Sequence, residues 1–210
     1  MFPAVEITSS FYRSHRAATY ARWAGSVPDR FRFAVKLPRS VTHESGLSGT
    51  AEPIERFLGE VRGLDDRLGV LLVQLPPSLP FEWQRAAGFF DQLRARHPGP
   101  VACEPRHPTW FTDEAEALLR SLEVARVAAD PAVVPEAARP GGWPGLAYWR
   151  LHGSPRMYYS AYLPAELDRV AAAMGGVAGE AWCIFDNTAS GAAAGQALDL
   201  MARLPETGLS

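Results

Sequence analysis

The sequence predicts a single α/β domain in which a barrel of parallel β-strands is covered by helices. Short β-rich runs alternate with longer segments of helical periodicity, which is typical of a parallel sheet with helical crossovers. The chain has 210 residues, 47% of them hydrophobic, which suffices for one sizeable core and is short for two domains. Polar residues stand where the predicted strands end, as in barrels that carry a site at that face. We therefore expect one domain over residues 1–210.

Seven segments have the composition and length of β-strands. The predicted strands are Val5–Thr8, Arg32–Lys36, Val70–Gln74, Val101–Glu104, Ala125–Ala129, Ala147–Leu151 and Trp182–Phe185. Cys103 and Cys183 lie in two of these strands, where small buried thiols are expected and a disulfide is not.

Between the strands, apolar residues recur at three- and four-residue spacing, which predicts amphipathic helices. The segment Glu82–Arg96 is one of them, and Pro98-Gly99 ends it. The other apolar stripes are Ile54, Phe57, Leu58 and Val61; Ala115, Leu118, Leu119 and Leu122 after the cap candidates Thr112 and Asp113; Leu167, Val170, Ala171 and Met174; and Ala193, Ala197, Leu200, Met201 and Leu204. We expect each stripe to pack on the sheet.

Two regions break this rhythm and are interpreted as loops. Pro38–Pro53 follows the second strand, and Asp130–Gly145 is rich in proline and glycine. Loops of this length inside a compact domain are uncommon unless they carry function, and in a barrel both would lie on the catalytic face.

Composition excludes several functional classes. A formal net charge of -2 and a pI near 6.2 give no basic field that attracts nucleic acid or an anionic membrane, so nucleic-acid binding is not expected. Apolar runs such as Val70–Val73 are far shorter than the roughly 20 residues of a membrane span. The first residues lack the basic and apolar stretches of a signal peptide, so a cytoplasmic protein is expected.

Polar residues at the strand ends are the candidate site. They are Glu6, Lys36, Gln74, Glu104, Asp130, Arg150, His152, Asp186 and Asn187. In a barrel they converge on one mouth, and buried charges there must pair, stay hydrated or bind a ligand. A ligand site is favoured over a purely structural network of ion pairs, because barrel sites lie at this face.

The mixture of charges narrows the chemistry. Lys36, Arg106 and Arg150 place cations beside the carboxylates, which disfavours a bare metal cluster and suits a small anionic or hydroxylated ligand. No cofactor is therefore predicted. A divalent metal held by the carboxylates and histidines is the alternative, although no close-spaced ligand motif such as His-Glu-x-x-His occurs.

Aromatic and histidine residues lie in the loops that follow the strands. Tyr12, Trp110 and Tyr158 could stack on a sugar ring or a base, or pack the loops over the barrel end. His43 and His152 are candidates for general acid or base, since their ordinary pKa is near neutrality, and His152 is preferred because it directly follows a strand.

Six segments in order resemble the YecE-like DUF72 family, whose members are TIM (β/α) barrels of largely unassigned activity. The segments are Val5–Arg13, Phe31–Lys36 with Thr42-His43, Val73–Pro77, Glu104–Phe111, Tyr148–Gly153 and Phe185–Thr188. The resemblance implies a further first strand and helix that nothing before Val5 supplies. Either the gene start is placed too late, or the barrel is incomplete, with about seven strands and a gap beside Trp182–Phe185. We then expect a homodimer that covers the open edge.

Three classes of function remain open. The first is an enzyme on a sugar phosphate-like substrate, with Lys36 and Arg150 binding charge and Glu6, Glu104 or His152 moving protons; a glycosidase with the Glu6 and Glu104 pair is its hydrolytic variant. The second is a metal-dependent phosphodiesterase or nuclease. The third is a barrel that binds a metabolite without catalysis.

Overall fold

The computed structural model describes residues 2–205 and shows a mixed α/β fold with parallel sheets. The strands are β1 (Ala4–Ile7), β2 (Arg32–Lys36), β3 (Leu68–Gln74), β4 (Val101–Glu104), β5 (Val124–Arg126), β6 (Ala128–Asp130), β7 (Gly141–Gly142), β8 (Leu146–Leu151) and β9 (Glu180–Phe185). The helices are α1 (Ala17–Ala24), α2 (Ala51–Val61), α3 (Trp83–Arg94), α4 (Asp113–Ser121), α5 (Pro164–Gly175) and α6 (Ala192–Arg203). The predicted domain also includes Met1 and residues 206–210, which lie outside the described residues. That the chain forms a single domain stays a prediction.

The parallel strands follow one another in space in the order of the chain. One sheet has the order β1-β2-β3-β4-β5-β7, and the second has the order β6-β8-β9. Only Val127 separates β5 from β6, so this extended segment pairs first with β4 and then with β8. The two sheets are thereby joined into one continuous wall from β1 to β9.

The wall is open between its first and last strands. In the part of the chain from residue 2 to 205, β1 and β9 have no strand partner on their outer sides. A cavity of about 470 Å³ lies between them, lined by residues of both strands and by Ala197 and Met201 of α6. A closed barrel is thus not present, which agrees with the expected gap, while the homodimer stays a prediction that the molar mass in solution tests.

Alternation along the strands separates two apolar cores. Every second strand residue faces the inside of the curved wall, and these residues are Ala34, Val70, Leu72, Ala102, Ala125, Val127, Leu146, Tyr148 and Trp182. Their neighbours, such as Val35, Leu71 and Val101, pack against the buried faces of the helices. Because both faces are covered, β3 is apolar along almost its whole length, as parallel strands are.

The predicted elements are largely confirmed, with three corrections. The predicted strand Ala125–Ala129 is divided into β5 and β6, because its pairing changes from β4 to β8 at Val127. The loop predicted over residues 130–145 contains β7, which pairs antiparallel with β5. Helix α1 was not predicted, since Tyr20 is its one buried residue and no apolar stripe marks it.

Helix ends follow ordinary capping chemistry. The Thr112 hydroxyl accepts a hydrogen bond from the amide of Ala115 at 3.4 Å, which confirms the predicted cap of α4. Helix α5 begins at Pro164, a position whose amide would have no acceptor within the helix, so the lack of an N–H on proline costs nothing there. The Glu166 carboxylate accepts a hydrogen bond from the amide of Leu163 at 2.7 Å. No helix in the described range is long and apolar enough to cross a membrane.

Trp182 fills the interior at the end of the wall away from the polar strand ends. Its ring is stacked on Tyr148 with centroids 5.9 Å apart, and its indole N–H donates to Glu180 at 2.8 Å. The ring crosses to β3, where a Cβ added to Gly69 would lie 2.6 Å from its Cζ2. Gly69 is therefore required by the close approach of the indole to the strand.

We expect Gly69→Ala to destabilise the protein by about 1–3 kcal/mol, the usual cost of an extra methyl group in a packed core. The free energy of unfolding from urea titration measures the loss. Gly88→Ala is the matched control, because a Cβ on Gly88 in α3 would meet nothing within 4 Å and should stabilise the helix by about 0.5–1 kcal/mol. Equal stability of the two variants would show that the indole can move aside.

Candidate functional site

The centre of the site is Arg150, which lies between two buried carboxylates. Its Nη2 and Nε donate to Glu6 Oε1 and Oε2 at 2.7 and 3.1 Å, and its Nη1 donates to Glu104 Oε2 at 2.6 Å. All three side chains are at most 3% exposed. The planar guanidinium matches both carboxylates, so β1, β4 and β8 are tied together at their carboxyl ends.

This arrangement keeps Glu104 ionised. Burial raises the pKa of Glu104, but Arg150, the hydrogen bond from His152 and Arg106 outweigh burial and hold that pKa well below its usual range. In the same way, burial lowers the pKa of Arg150, whereas Glu104 and Glu6 raise it well above its usual value. The two groups are thus a permanent ion pair at neutral pH.

His152, directly after β8, lies in contact with both signs of charge. Its Nδ1 is 3.0 Å from Asp186 Oδ2, and its Nε2 is 3.3 Å from Glu104 Oε1 and 2.9 Å from Arg106 Nη2. Burial lowers the pKa of His152, but hydrogen bonds to Asp186 and Glu104 raise it above its usual value overall. Nε2 accepts from Arg106 when it is unprotonated and donates to Glu104 when it is protonated, so the imidazole has a partner in either state.

Arg106 has one N–H group without a hydrogen-bond acceptor in the described chain. Its Nη2 lies 2.5 Å from Glu104 Oε1, and its side chain is 15% exposed. Its Nε is buried and has no hydrogen-bond acceptor among residues 2–205. A buried N–H without an acceptor is costly, and a ligand oxygen would relieve that cost.

Lys36 occupies the same end of the wall without an ion-pair partner. Its residue is 8% exposed, and its Nζ lies 3.9 Å from the centre of the Phe11 ring. Within the described chain, no carboxylate oxygen lies within 4.0 Å of Nζ. Burial and then Arg150 lower the pKa of Lys36 to about 8, against the opposing influence of Glu104 and Glu6.

His43 lies on the other side of Phe11. The two rings meet edge to face with centroids 4.8 Å apart, and His43 Nδ1 is 2.8 Å from the hydroxyl of Thr42. Burial, then Lys36 and Arg39, lower the pKa of His43, so its imidazole is neutral at neutral pH. His43 therefore belongs to the Lys36 side of the site and not to the His152 side.

The loop after β8 covers His152. Tyr158 lies edge to face over the imidazole at 5.9 Å, is 45% exposed and has a φ of 67°. Asn187 is fully buried and holds this loop, because its Nδ2 donates to the carbonyl of Ser160 at 3.0 Å and to Gln196 Oε1 at 2.7 Å. The Tyr158 ring therefore covers one side of the His152 imidazole.

Three further expected binding residues make no hydrogen bond to this cluster in the described chain, although Gln74 ends β3 beside Glu104 of β4. Trp110 is 1% exposed and its indole donates to the carbonyl of Leu79 at 3.0 Å, so it is a core residue and the expectation of ligand stacking is corrected. Gln74 donates to the carbonyl of Leu75 at 3.0 Å. Tyr12 is 78% exposed and touches Phe11 with its edge.

Asp130 supports the loop after β8. Its carbonyl accepts from the amide of His152 at 2.8 Å, and its carboxylate lies beside Tyr162, whose pKa is raised by burial and then by Asp130. The Tyr162 hydroxyl in turn accepts from the amide of Gly153 at 2.7 Å. Asp130 is therefore placed to fix the backbone at His152.

Two functional contacts escaped the sequence analysis. The Tyr148 hydroxyl donates to Glu6 Oε2 at 2.8 Å and so completes the hydrogen bonds of that carboxylate. Tyr148 and Arg150 alternate along β8, and His152 continues this alternation directly after the strand, so strand periodicity could have identified the tyrosine. Gln196 is buried and joins Asn187 to the carbonyl of Tyr162, a contact between distant segments that no local pattern reveals.

Two cavities lie near the cluster. Among residues 2–205, no three His, Cys, Asp or Glu side chains are grouped so that they could hold a metal ion. Glu6 is one of the residues that line the 470 Å³ cavity between β1 and β9, and its side chain is 2% exposed. A second cavity of about 310 Å³ lies beside Phe11 and Tyr12 and includes Arg13, Arg39 and Glu44.

A family model described as "Protein of unknown function DUF72" matches residues 1–209. The UPF0759 protein YecE of Escherichia coli K12 is 32% identical over 147 residues, which are 66% of this chain and 52% of that protein. YecE of Escherichia coli O157:H7 is 31% identical over 126 residues, 58% of this chain and 45% of that protein. The chain thus spans about half the length of the curated relatives it matches.

Solved structures show the same fold. A DUF72 family protein of Enterococcus faecalis V583 is similar with a TM-score of 0.81 at 22% identity, over 96% of this chain and 84% of that chain. A DUF72 family protein of Thermotoga maritima MSB8 has a TM-score of 0.79 at 26% identity, with the same two coverages. The likeness concerns the arrangement of strands and helices.

Proposed function

Because the chain belongs to the DUF72 family of proteins of unknown function, we propose its activity from its own site. We propose that it binds and acts on a small anionic or polyhydroxylated compound, such as a sugar phosphate, at the carboxyl ends of its strands. The observation that carries this proposal is Lys36, a buried cation with no carboxylate within 4.0 Å among the described residues. An anionic group of the ligand would supply the missing partner.

The wall of strands is proposed to be an incomplete TIM (β/α) barrel, open between β1 and β9. Its support is the parallel strand order and the apolar interior, which continues at every second residue into Glu6, Lys36, Glu104 and Arg150. In such barrels, ligands bind at the carboxyl ends of the strands, where these four residues lie.

The contacts of the polar residues support different proposed roles for them. Glu104 is held ionised, so it suits electrostatic positioning of Arg150 and Arg106, and a general acid role would require its proton at neutral pH. In the glycosidase variant, Glu104 would therefore be the ionised member of the carboxylate pair. His152 is the proton-transfer residue of the proposal, because Nε2 has a partner both with and without its proton and Asp186 orients the ring.

Arg106 and Lys36 are the proposed anion-binding residues. Lys36 has no ion-pair partner, and the buried Nε of Arg106 has no acceptor in the described chain. Arg150, by contrast, uses Nε, Nη1 and Nη2 in its bonds to the two carboxylates, so it organises the site and leaves ligand binding to its neighbours.

A sugar phosphate that binds the native protein must raise its melting temperature. At about 100 times its Kd, a ligand adds about 2.7 kcal/mol, which is roughly 5–10 °C for a chain of this size. Thermal unfolding with ribose 5-phosphate, ribose and inorganic phosphate is the measurement. Lys36→Met is expected to abolish the shift, whereas Arg22→Met, which removes an exposed cation on α1, should preserve it.

The outcomes separate the alternatives. A panel of phosphorylated sugars that never moves the melting temperature would overturn the proposal. If ribose 5-phosphate raised the melting temperature of Lys36→Met as much as that of the wild type, the ligand would bind away from the strand ends.

A further inference from the structure

Lys36 is the only lysine in the chain. The sequence contains 21 Lys and Arg residues, and every one except Lys36 is arginine, including Arg106 and Arg150 at the same site. Arginine binds oxyanions at least as well as lysine and stays charged, so anion binding alone does not explain a lysine here. A primary amine differs from a guanidinium in that it can lose its proton and act as a nucleophile.

The surroundings of Lys36 favour the free amine. Its Nζ rests on the face of Phe11 at 3.9 Å, and the side chain is buried at the end of β2. Two cations and two carboxylates face it from other elements, namely Arg150 from β8, Arg106 after β4, Glu104 from β4 and Glu6 from β1, together with the imidazole of His43. Burial and then Arg150 lower the pKa of Lys36 to about 8, so about half of it is free amine at pH 8.

We propose that Lys36 forms an imine with the carbonyl carbon of an aldose or ketose phosphate in its open-chain form. This inference rests on the proposed function and narrows its substrate class to phosphorylated carbonyl compounds. The absence of a carboxylate within 4.0 Å of Nζ, in the part of the chain that the structure describes, leaves the amine free to meet the ligand.

The chemistry needs no reagent beyond the amine and the sugar. Lys36 gives one ammonium proton to solvent, and its nitrogen lone pair attacks the carbonyl carbon while the carbonyl π electrons move to oxygen. A proton then passes from the nitrogen to this oxygen, which gives the neutral carbinolamine. The carbinolamine then loses water as the C–O bond breaks and the C=N bond forms. The net change is amine plus carbonyl to imine plus water, and the protonated imine withdraws electrons from the neighbouring carbon.

The other residues fit this step. Arg106 has a buried Nε–H with no acceptor within residues 2–205, which suits the phosphate or a hydroxyl group of the bound sugar. The Phe11 face shields one side of Nζ from water, which favours the dehydrated imine.

Reduction of the imine tests the proposal directly. The full chain is incubated at pH 7.5 with ribose 5-phosphate or dihydroxyacetone phosphate and sodium cyanoborohydride, and intact and peptide masses are then recorded. Since Lys36 is the only lysine, the only competing primary amine is the α-amino group of the chain, which serves as an internal reference. In guanidinium chloride, Lys36 regains an ordinary pKa near 10.4, and its free amine fraction at pH 7.5 falls about 200-fold.

We expect one reduced adduct at Lys36. The ratio of labelled Lys36 to labelled α-amino group should be at least tenfold higher in the native protein than in the unfolded protein. Lys36→Arg is expected to carry no adduct at position 36. An equal or lower native ratio, together with an intact thermal shift by the same sugar phosphate, overturns the imine and leaves the binding proposal standing. Neither adduct nor thermal shift overturns both, and this comparison uses the wild-type protein, so it does not depend on the folding of a variant.

Discussion

Replacing Arg150 with methionine is expected to lower the free energy of unfolding by about 3–5 kcal/mol, the usual cost of removing one partner from a buried ion pair. The variant leaves Glu6 with only the Tyr148 hydroxyl and leaves Glu104 with Arg106 and His152. Both carboxylates stay in a site that is at most 2% exposed. Urea titration at pH 7 measures the loss.

Arg203→Met is the matched control for this change. Arg203 pairs with Asp168 at 2.9 Å, but the two side chains are 27% and 66% exposed, and such pairs contribute under about 1 kcal/mol. The double variant Arg150→Met with Glu6→Gln should recover part of the loss, because it removes the carboxylate that Arg150→Met leaves without a cationic partner among the described residues. A loss below about 1 kcal/mol for Arg150→Met alone would mean that water reaches the carboxylates and that the cluster is not buried in solution.

The framework of the fold could be predicted from local patterns. Hydrophobic periodicity located six of the seven predicted strands as single elements and the helices α2 to α6, because packing on a sheet imposes that periodicity. The division at Val127 could not be predicted, since it arises from a change of neighbour from β4 to β8. The short β7 escaped for the same reason: two glycines form a strand only because β5 offers an edge.

The site residues could be predicted from their positions at the strand ends more than from their chemical types. Parallel strands bring their carboxyl ends together, so Glu6, Glu104, Arg150, His152 and Asp186 were expected to meet, and in the structure these five residues form one hydrogen-bonded cluster. The pairing itself depends on side-chain rotamers, which the sequence does not specify.

Loop aromatics show the limit of that approach. Trp110 and Tyr158 look alike in the sequence, as aromatic residues shortly after a strand. Trp110 turns inward to donate to the carbonyl of Leu79, and Tyr158 turns over His152. The composition did contain a signal for Lys36. It is the single lysine among 21 basic residues, so its position differs from all the others.

Stability should fall in acid because of the buried carboxylates. Burial raises the pKa values of Glu104 and Asp186, but Arg150 and His152 outweigh burial and hold both pKa values below their usual range. Below the ordinary carboxyl pKa of about 4.3, the unfolded chain therefore binds more protons than the folded one. The contribution of Glu104 is complete above that pH and is lost as the pH falls toward its folded pKa, at about 1.4 kcal/mol per pH unit for each proton.

Glu104→Gln tests this effect below pH 5, away from the pH range near neutrality in which His152 ordinarily titrates. The difference in unfolding free energy between wild type and Glu104→Gln, measured by urea titration from pH 5 to pH 3, should shrink as the pH falls. Glu55→Gln on the exposed face of α2 is the control, and its difference from wild type should stay near zero throughout. A difference for Glu104→Gln that does not change with pH would contradict the ion pair, because a carboxylate that titrates alike in both states cannot couple folding to protons. The pH dependence of the unfolding free energy thus tests the ion pairs of Glu104 with Arg150 and Arg106, and it requires no ligand.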